Sequence, residues 1–142
     1  EGSGSTLANS GNGGDASLVS GSGTWDTDTS QLGSSSATGN FISNTITAPS
    51  STNKVGVLIT YVDNYGSATV NTDIKLYLSA DNGSNYTQVT LVNLPDFATG
   101  VRMAVANDVT VTAGTQLKYK VEFANQSAGS KETRLTGVSL QY

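Results

Sequence analysis

The chain has 142 residues and a net charge of −4, and only 13% of its residues are charged. This length suits one domain with one hydrophobic core. The chain contains neither His nor Cys, so it lacks the usual base of acyl-transfer enzymes and the usual ligands of zinc and redox metals. The acidic balance argues against nucleic-acid binding, which needs a basic face. No apolar run approaches the roughly 20 residues of a membrane span.

Residues 1–40 are rich in glycine and poor in charge. They contain nine of the 16 glycines, and no Lys or Arg precedes Lys54. Apolar side chains nevertheless recur between Gly, Ser and Asp turns, which predicts an extended, linker-like N-terminal arm that docks at intervals. The expected anchors of this arm are Leu18, Trp25, Leu32 and Phe41. A lone Trp in a polar arm is typical of a plug in a hydrophobic groove, and stacking on a sugar is the alternative.

The arm also contains a short run of oxygen-bearing side chains. Asp26 and Asp28 alternate with Thr residues, as ligands do in calcium loops. The run lacks the glycine and the bidentate glutamate of an EF-hand loop, so an Asx-type turn beside Trp25 is the simpler interpretation. Calcium stays as the alternative, and we otherwise expect no metal and no cofactor.

From residue 41 the pattern changes to short apolar runs separated by turn residues. Strands are predicted at 41–47, 55–62, 73–79, 86–92, 101–105, 109–112, 117–123 and 133–142. Turns are predicted at Pro49, 63–66, 80–85, Pro95-Asp96 and Gly114, with a bulge at Gly137. No segment repeats apolar residues at helical spacing over two turns.

This spacing predicts an all-β domain over residues 41–142, an antiparallel β-sandwich of jelly-roll-like form. Segments 73–79 and 117–123 alternate most clearly, with Leu117, Tyr119, Val121 and Phe123 pointing inward. Segment 55–62 is apolar on both faces, which is typical of a central strand. An immunoglobulin-type sandwich is the alternative, although its Cys–Trp–Cys core is missing.

Paired carboxylates are the one catalytic device that this composition permits, since glycoside hydrolysis needs only two acids. Most acidic residues here lie beside Asn or Gly in predicted turns, where Asp caps the backbone. Glu122 lies among lysines on an outward face. Because turn residues seldom have the burial that raises a carboxyl pKa, we predict a protein that is not an enzyme.

Segment 79–86 resembles the Asp-box hairpin of sialidase propellers and other β proteins. Ser79, Asp81, Gly83 and Tyr86 occupy the positions of that pattern. In such a hairpin the Asp accepts backbone N–H groups, the Gly takes a positive φ and the aromatic ring packs beneath. The resemblance implies a structural role away from any catalytic centre.

Several segments together resemble a recurring viral module. They are 41–49, 71–76, 79–86, 117–126 and the ending 131–142. The module is similar to the C-terminal β domains of tailed-bacteriophage structural proteins, especially those of marine and cyanobacterial phages. The likeness covers roughly residues 15–142, and its most specific parts are the strand Lys-Tyr-Lys-Val-Glu-Phe and the ending Gly-Val-Ser-Leu.

The resemblance implies a role on the outside of a virion, as a tail fibre, a head fibre or a capsid decoration. It carries over no catalytic motif. The expected partners are other virion proteins and copies of the chain itself, most simply in a homotrimer. Since the chain begins at Glu1, we also expect it to be part of a longer protein.

The competing interpretation is a carbohydrate-binding module that attaches to a host receptor. It predicts aromatic rings clustered on one exposed face, because a ring with an apolar face and a polar edge suits a pyranose. The candidate stacking residues are Trp25, Tyr61, Tyr65 and Tyr77. The two interpretations are compatible if the module forms a fibre tip.

Overall fold

The computed structural model describes residues 38–142 and the backbone of two short N-terminal strands. Those strands, β1 (Thr6–Leu7) and β2 (Ala16–Ser17), pair antiparallel. The chain divides into two compact units, Glu1–Ser35 and Ser36–Tyr142. The second unit begins a few residues before the predicted boundary at residue 40.

The described residues of the second unit form an all-β structure whose named strands all pair antiparallel, which confirms the predicted fold class. Its strands are β3 (Gly39–Ile42), β4 (Ile46–Tyr65), β5 (Ile74–Ser79), β6 (Thr87–Gln88), β7 (Val92–Ala98), β8 (Val101–Phe123) and β9 (Glu132–Gln141). Residues 38–142 contain no helix, and therefore none with the length and apolarity of a membrane crossing.

Strand β8 organises the sheet, because it pairs with four other strands. Its C-terminal half lies between β3 and β5, and β6 continues that group beyond β5. Its N-terminal half lies between β4 and β7, and β9 continues that group beyond β4. Two four-stranded layers, β3–β8–β5–β6 and β9–β4–β8–β7, thus share one long strand, as happens at the corners of sandwiches.

One hydrophobic core lies between the two layers. Leu76 and Val121 come from one layer, and Val57 and Ile59 come from the other. The largest fully buried side chains are Tyr61, Ile59, Ile74, Leu76, Leu78, Leu117, Val55, Val57, Val89 and Val121. These residues alternate with outward-facing ones along β4, β5 and β8, as period-two strands require.

Three predicted turns are wrong, because the residues concerned lie inside strands. Pro49 lies in β4 between Thr47 and Thr52, where the pairing with β8 shifts register. Pro95-Asp96 lies in β7, at a similar shift between Leu94 and Ala98. A bulge leaves its extra residue outside the ladder, so a proline without an N–H is tolerated there.

Gly114 does not turn the chain either, since it pairs with Thr52 inside β8. The predicted strands 101–105, 109–112 and 117–123 are consequently one continuous strand. Strand β4 extends to Tyr65, so the predicted turn at 63–66 begins only at Gly66, which has a φ of 65°. The predicted strand 41–47 is divided, because residues 43–45 separate β3 from β4. The predicted strand 86–92 contains only β6 and the first residue of β7.

Two finer predictions are confirmed. Segment 55–62 is central, since β4 lies between β8 and β9. The bulge at Gly137 is also present, because the register of β9 against β4 shifts between Thr60 and Tyr61. A methyl group at Gly137 would lie 2.9 Å from the Thr60 hydroxyl oxygen, so glycine lets the two strands approach closely.

Candidate functional site

One flank of the sandwich leaves its inward-facing apolar side chains partly exposed. Strands β3 and β4 pair with the same side of β8, and β9 follows β4 on that flank. Phe41 faces inward beside buried Val121, yet it is 40% exposed because β3 is an edge strand with no neighbour beyond it among the described residues. The flank therefore ends in an aromatic ring that lacks part of its packing.

Two further aromatic rings contact Phe41. Its ring centroid lies 6.1 Å from that of Tyr119 in an edge-to-face arrangement and 6.4 Å from that of Phe123 in a stacked one. Both geometries are favourable for aromatic pairs. Tyr119 and Phe123 are themselves only partly buried against the core.

Strand β9 contributes the other side of this flank. Its inward-facing residues pair with fully buried Val57, Ile59 and Tyr61, but they are only partly buried themselves. We call the resulting set the open edge; its members are Phe41, Tyr119, Phe123, Leu135, Val138 and Leu140.

Gln126 connects the two strands of the open edge at one end. Its backbone N–H donates to Thr38 Oγ1 (3.1 Å), and its Oε1 accepts from the Thr133 N–H (2.9 Å). Its Nε2 donates to the Ala124 carbonyl (3.0 Å), and the side chain is buried. Gln126 thus joins the segment before β3 through its backbone and the start of β9 through its side-chain amide.

A second surface lies on the outer face of the layer β3–β8–β5–β6. Lys120 on β8 opposes Tyr77 on β5, and its Nζ lies 4.1 Å from the Tyr77 ring centroid and 5.3 Å from the Tyr86 ring centroid. Lys118 lies two residues away on the same strand face. We call this set the lysine–tyrosine face; its members are Lys75, Tyr77, Tyr86, Lys118, Lys120 and Glu122.

Glu122 is the acidic residue of the lysine–tyrosine face. Its carboxylate accepts from Lys75 Nζ (2.9 Å) and from the Tyr77 hydroxyl (3.1 Å). These hydrogen bonds, that from Lys75 first, lower the pKa of Glu122 below its ordinary value. Within residues 38–142, neither Lys118 nor Lys120 forms an ion pair, so two ammonium groups remain for a ligand.

The Asp-box-like hairpin borders the lysine–tyrosine face. Ser79 Oγ donates to Asp81 Oδ1 (2.7 Å) and accepts from the Gly83 N–H (2.9 Å), while Asp81 Oδ1 also accepts from the Asn85 N–H (2.9 Å). Gly83 has a φ of 83°, and a methyl group there would lie 2.9 Å from the Tyr86 hydroxyl. The hairpin therefore holds Tyr86, one of the two rings beside Lys120.

The hydrogen bonds of this hairpin favour the ionised form of the Asp81 carboxyl group. The Asn85 amide, the Asn85 N–H and the Ser79 hydroxyl lower its pKa from 3.8 to about 2. A lowered carboxyl pKa stabilises the fold fully above the ordinary pKa, and this contribution disappears as the pH falls toward the folded-state value.

We therefore expect the Asp81 carboxyl carbon to titrate with a midpoint of about 2 in an NMR pH titration of the folded chain. The variant Ser79→Ala removes one donor, so the midpoint should move upward, toward the ordinary value. A midpoint for Asp81 at the ordinary value of 3.8 would contradict the hydrogen-bonded hairpin.

The structure removes Tyr61 from the candidate sugar-stacking residues. Its side chain is fully buried, Arg102 lies 5.1 Å from its ring centroid, and burial raises its pKa. The prediction failed because segment 55–62 is apolar on both faces, so its pattern does not show which face Tyr61 occupies. Arg102 also binds Asp63, through Nη1 and Oδ2 at 2.8 Å.

The other predicted residues are distributed over the chain. Tyr65 is 51% exposed at the end of β4, while Tyr77 is half-buried on the lysine–tyrosine face. Phe41 belongs to the open edge. The remaining predicted anchors and calcium ligands lie outside the described residues; they are Leu18, Trp25, Asp26, Asp28 and Leu32.

Sequence reasoning missed the partnership of Lys120 with Tyr77 and Tyr86. The alternation of segments 73–79 and 117–123 places Tyr77 and Lys120 on outer faces, but only the register of β5 against β8 makes them neighbours. It also missed Gln126, whose side chain is buried in the segment between β8 and β9.

Two shallow grooves lie elsewhere on the described unit. One, of about 530 Å³, lies between β6–β7 and β8, and the other, of about 500 Å³, lies where Lys54 and Asp108 meet the end of β9. Asp108 is the one acidic side chain along their walls, and no three acidic residues converge anywhere within residues 38–142.

Comparison with known proteins adds no relative. No family model matches the chain, and neither a curated protein nor a solved structure matches it.

Proposed function

We propose that this chain is a non-enzymatic structural module of a bacteriophage virion, which assembles with copies of itself on the outside of the particle. The observation that carries the proposal is the open edge, where Phe41, Tyr119 and Phe123 form an aromatic cluster that the described residues leave partly uncovered. Partly exposed aromatic clusters beside aliphatic side chains are typical of protein interfaces.

The resemblance to phage virion domains supports the choice of particle and partner. Fibres and decorations are usually closed, symmetric assemblies, in which one surface of each copy covers the same or another surface of the next copy. A homotrimer is the simplest closed form in which each copy covers part of a neighbour's open edge. Its place as head decoration, head fibre or tail fibre is part of the same proposal.

Sedimentation of the full chain tests this assembly. We expect a trimer for the natural sequence and association about ten-fold weaker for Phe41→Ser, because a buried Phe contributes roughly 1.5–3 kcal/mol. Phe97→Ser is the matched control, since Phe97 is 69% exposed on β7 at the opposite flank. Thermal unfolding of both variants shows whether they remain folded.

The proposal fails if the natural chain sediments as a monomer at every concentration that keeps it soluble. It also fails if the Phe97 variant loses association as strongly as the Phe41 variant. Electron microscopy of particles that carry the chain then distinguishes the fibre from the decoration.

Recognition of a cell-surface glycan is the second candidate function, and the lysine–tyrosine face favours it. Two half-buried tyrosine rings and two ammonium groups meet there on one strand-built surface. This surface differs from the open edge, so one virion module has room for both functions.

A further inference from the structure

We propose that the lysine–tyrosine face binds an acidic saccharide, with Lys118 and Lys120 holding its acid groups. This inference rests on the second candidate function and specifies the class of glycan. It is independent of assembly through the open edge, because no residue belongs to both surfaces.

The first argument is a local excess of positive charge. Residues 38–142 contain seven basic and seven acidic residues, so the described unit as a whole is neutral. The lysine–tyrosine face nevertheless combines three lysines with Glu122, which Lys75 pairs with, and Asp81 of the bordering hairpin adds one further negative charge near Tyr86. Lys118 and Lys120 therefore give this face the charge that complements an anionic ligand.

The second argument is the preorganisation of Lys120. A lysine side chain loses considerable rotamer freedom when it binds a ligand. Here the Lys120 Nζ lies 4.1 Å from the ring centroid of Tyr77 and 5.3 Å from that of Tyr86. Cation–π attraction favours this position of the amine. Tyr86 is itself held against Gly83 by the Asp-box-like hairpin. Part of the entropic cost of placing the amine is thus met before a ligand arrives.

The third argument distinguishes a saccharide from other polyanions. Glu122 lies within the face, and its oxygens accept hydrogen bonds from Lys75 and Tyr77. A carboxylate at this position accepts hydrogen bonds from sugar hydroxyls, which an inorganic polyphosphate chain does not provide. Half-buried Tyr77 and Tyr86 add aromatic surface that suits a pyranose ring.

Binding measurements on the full chain test the inference with four probes. These are an oligogalacturonate, a sulfated oligosaccharide, a neutral glucose oligomer and inorganic polyphosphate. We expect a carboxylated or sulfated saccharide to bind and the neutral oligomer not to bind. The two acidic probes separate the possible sources of the acid group.

The decisive variants are Lys120→Gln and Lys118→Gln. Each should weaken acidic-saccharide binding about ten-fold, because each removes a charge-assisted hydrogen bond. Lys54→Gln is the control for loss of one lysine charge, since exposed Lys54 bonds to the Asp108 carbonyl and Thr110 Oγ1 on the other layer. The Lys54→Gln variant should bind the acidic saccharide as tightly as the natural chain does.

Each contrary outcome has a distinct meaning. Binding of the neutral oligomer alone keeps glycan recognition but overturns the acidic class, whereas no binding to any saccharide overturns both. Equal binding of polyphosphate, or an equal loss in Lys54→Gln, shows general charge attraction and also overturns the inference. Sedimentation of the same variants reports on assembly separately.

Discussion

Replacing Gly114 with alanine should destabilise the fold by about 3 kcal/mol, because the added methyl group overlaps backbone that cannot easily move. A Cβ at Gly114 would collide with the carbonyl group of Ala80, which is fully buried. That carbonyl oxygen accepts the Gln116 N–H (3.0 Å), and the Asn82 N–H donates to the Gln116 carbonyl (2.9 Å). Relief of the collision requires the Asp-box-like hairpin to separate from β8.

Gly39→Ala is the matched control for this prediction, since nothing lies within 4 Å of a Cβ at Gly39. Its free energy of unfolding should change by less than about 0.5 kcal/mol. Urea denaturation followed by far-ultraviolet circular dichroism measures both variants. Equal stabilities of Gly114→Ala and Gly39→Ala would show that the hairpin does not pack against β8 at this point.

Asp73→Ala should have the next largest effect, a loss of about 2 kcal/mol of unfolding free energy. Asp73 is only 2% exposed. Its carboxylate accepts from the Thr69 N–H (2.9 Å), Asn125 Nδ2 (3.0 Å) and Lys131 Nζ (2.9 Å). It therefore ties the loop before β5 to the loop before β9, and its removal leaves Thr69 and Asn125 donors without an acceptor.

The pH dependence of this effect follows from the pKa of Asp73. Burial would raise that pKa, but the hydrogen bonds from Asn125, Thr69 and Lys131 together lower it below 3.8. The stabilisation is therefore complete above the ordinary pKa and disappears as the pH falls through the lowered one. The difference in unfolding free energy between the natural chain and Asp73→Ala should therefore become smaller in acid, by the part that depends on ionisation of Asp73.

The control for Asp73→Ala is Asp96→Ala, because Asp96 is exposed on β7. Its stability should stay within about 0.5 kcal/mol of the natural value at neutral pH. Chemical denaturation at neutral and acidic pH makes both comparisons. A constant difference between Asp73→Ala and the natural chain across this pH range would refute the role of the ionised carboxylate.

Alternation predicted the local strands of this fold well, because one face of each is buried. Segments 73–79 and 117–123 correspond closely to β5 and the end of β8. The turns predicted from proline and glycine were wrong, because Pro49, Pro95 and Gly114 lie at bulges or close approaches inside strands. Proline and glycine mark any departure from a regular ladder, and only the neighbouring strand decides between a turn and a bulge.

The candidate sites were less accessible to sequence reasoning, because they depend on register and on sheet edges. Phe41 carries the same apolar signal as Val121, and its exposure arises only because β3 is an edge strand. Lys120 and Tyr77 lie far apart in the chain, and their contact requires the pairing of β5 with β8. Local patterns therefore indicated which faces were outward, but not which outward residues meet.

The central place of β8 has a consequence for synthesis on the ribosome. Among the described residues, β3 and β7 pair only with β8, and β4 pairs only with β8 and β9. Thr38 bonds to a residue 88 positions later. Such non-local pairing slows folding, and it leaves strand edges unpaired until the partner strand has been synthesised. We therefore expect the domain to close late, once β8 has emerged, and ribosome-bound chains that end before residue 101 to remain sensitive to protease.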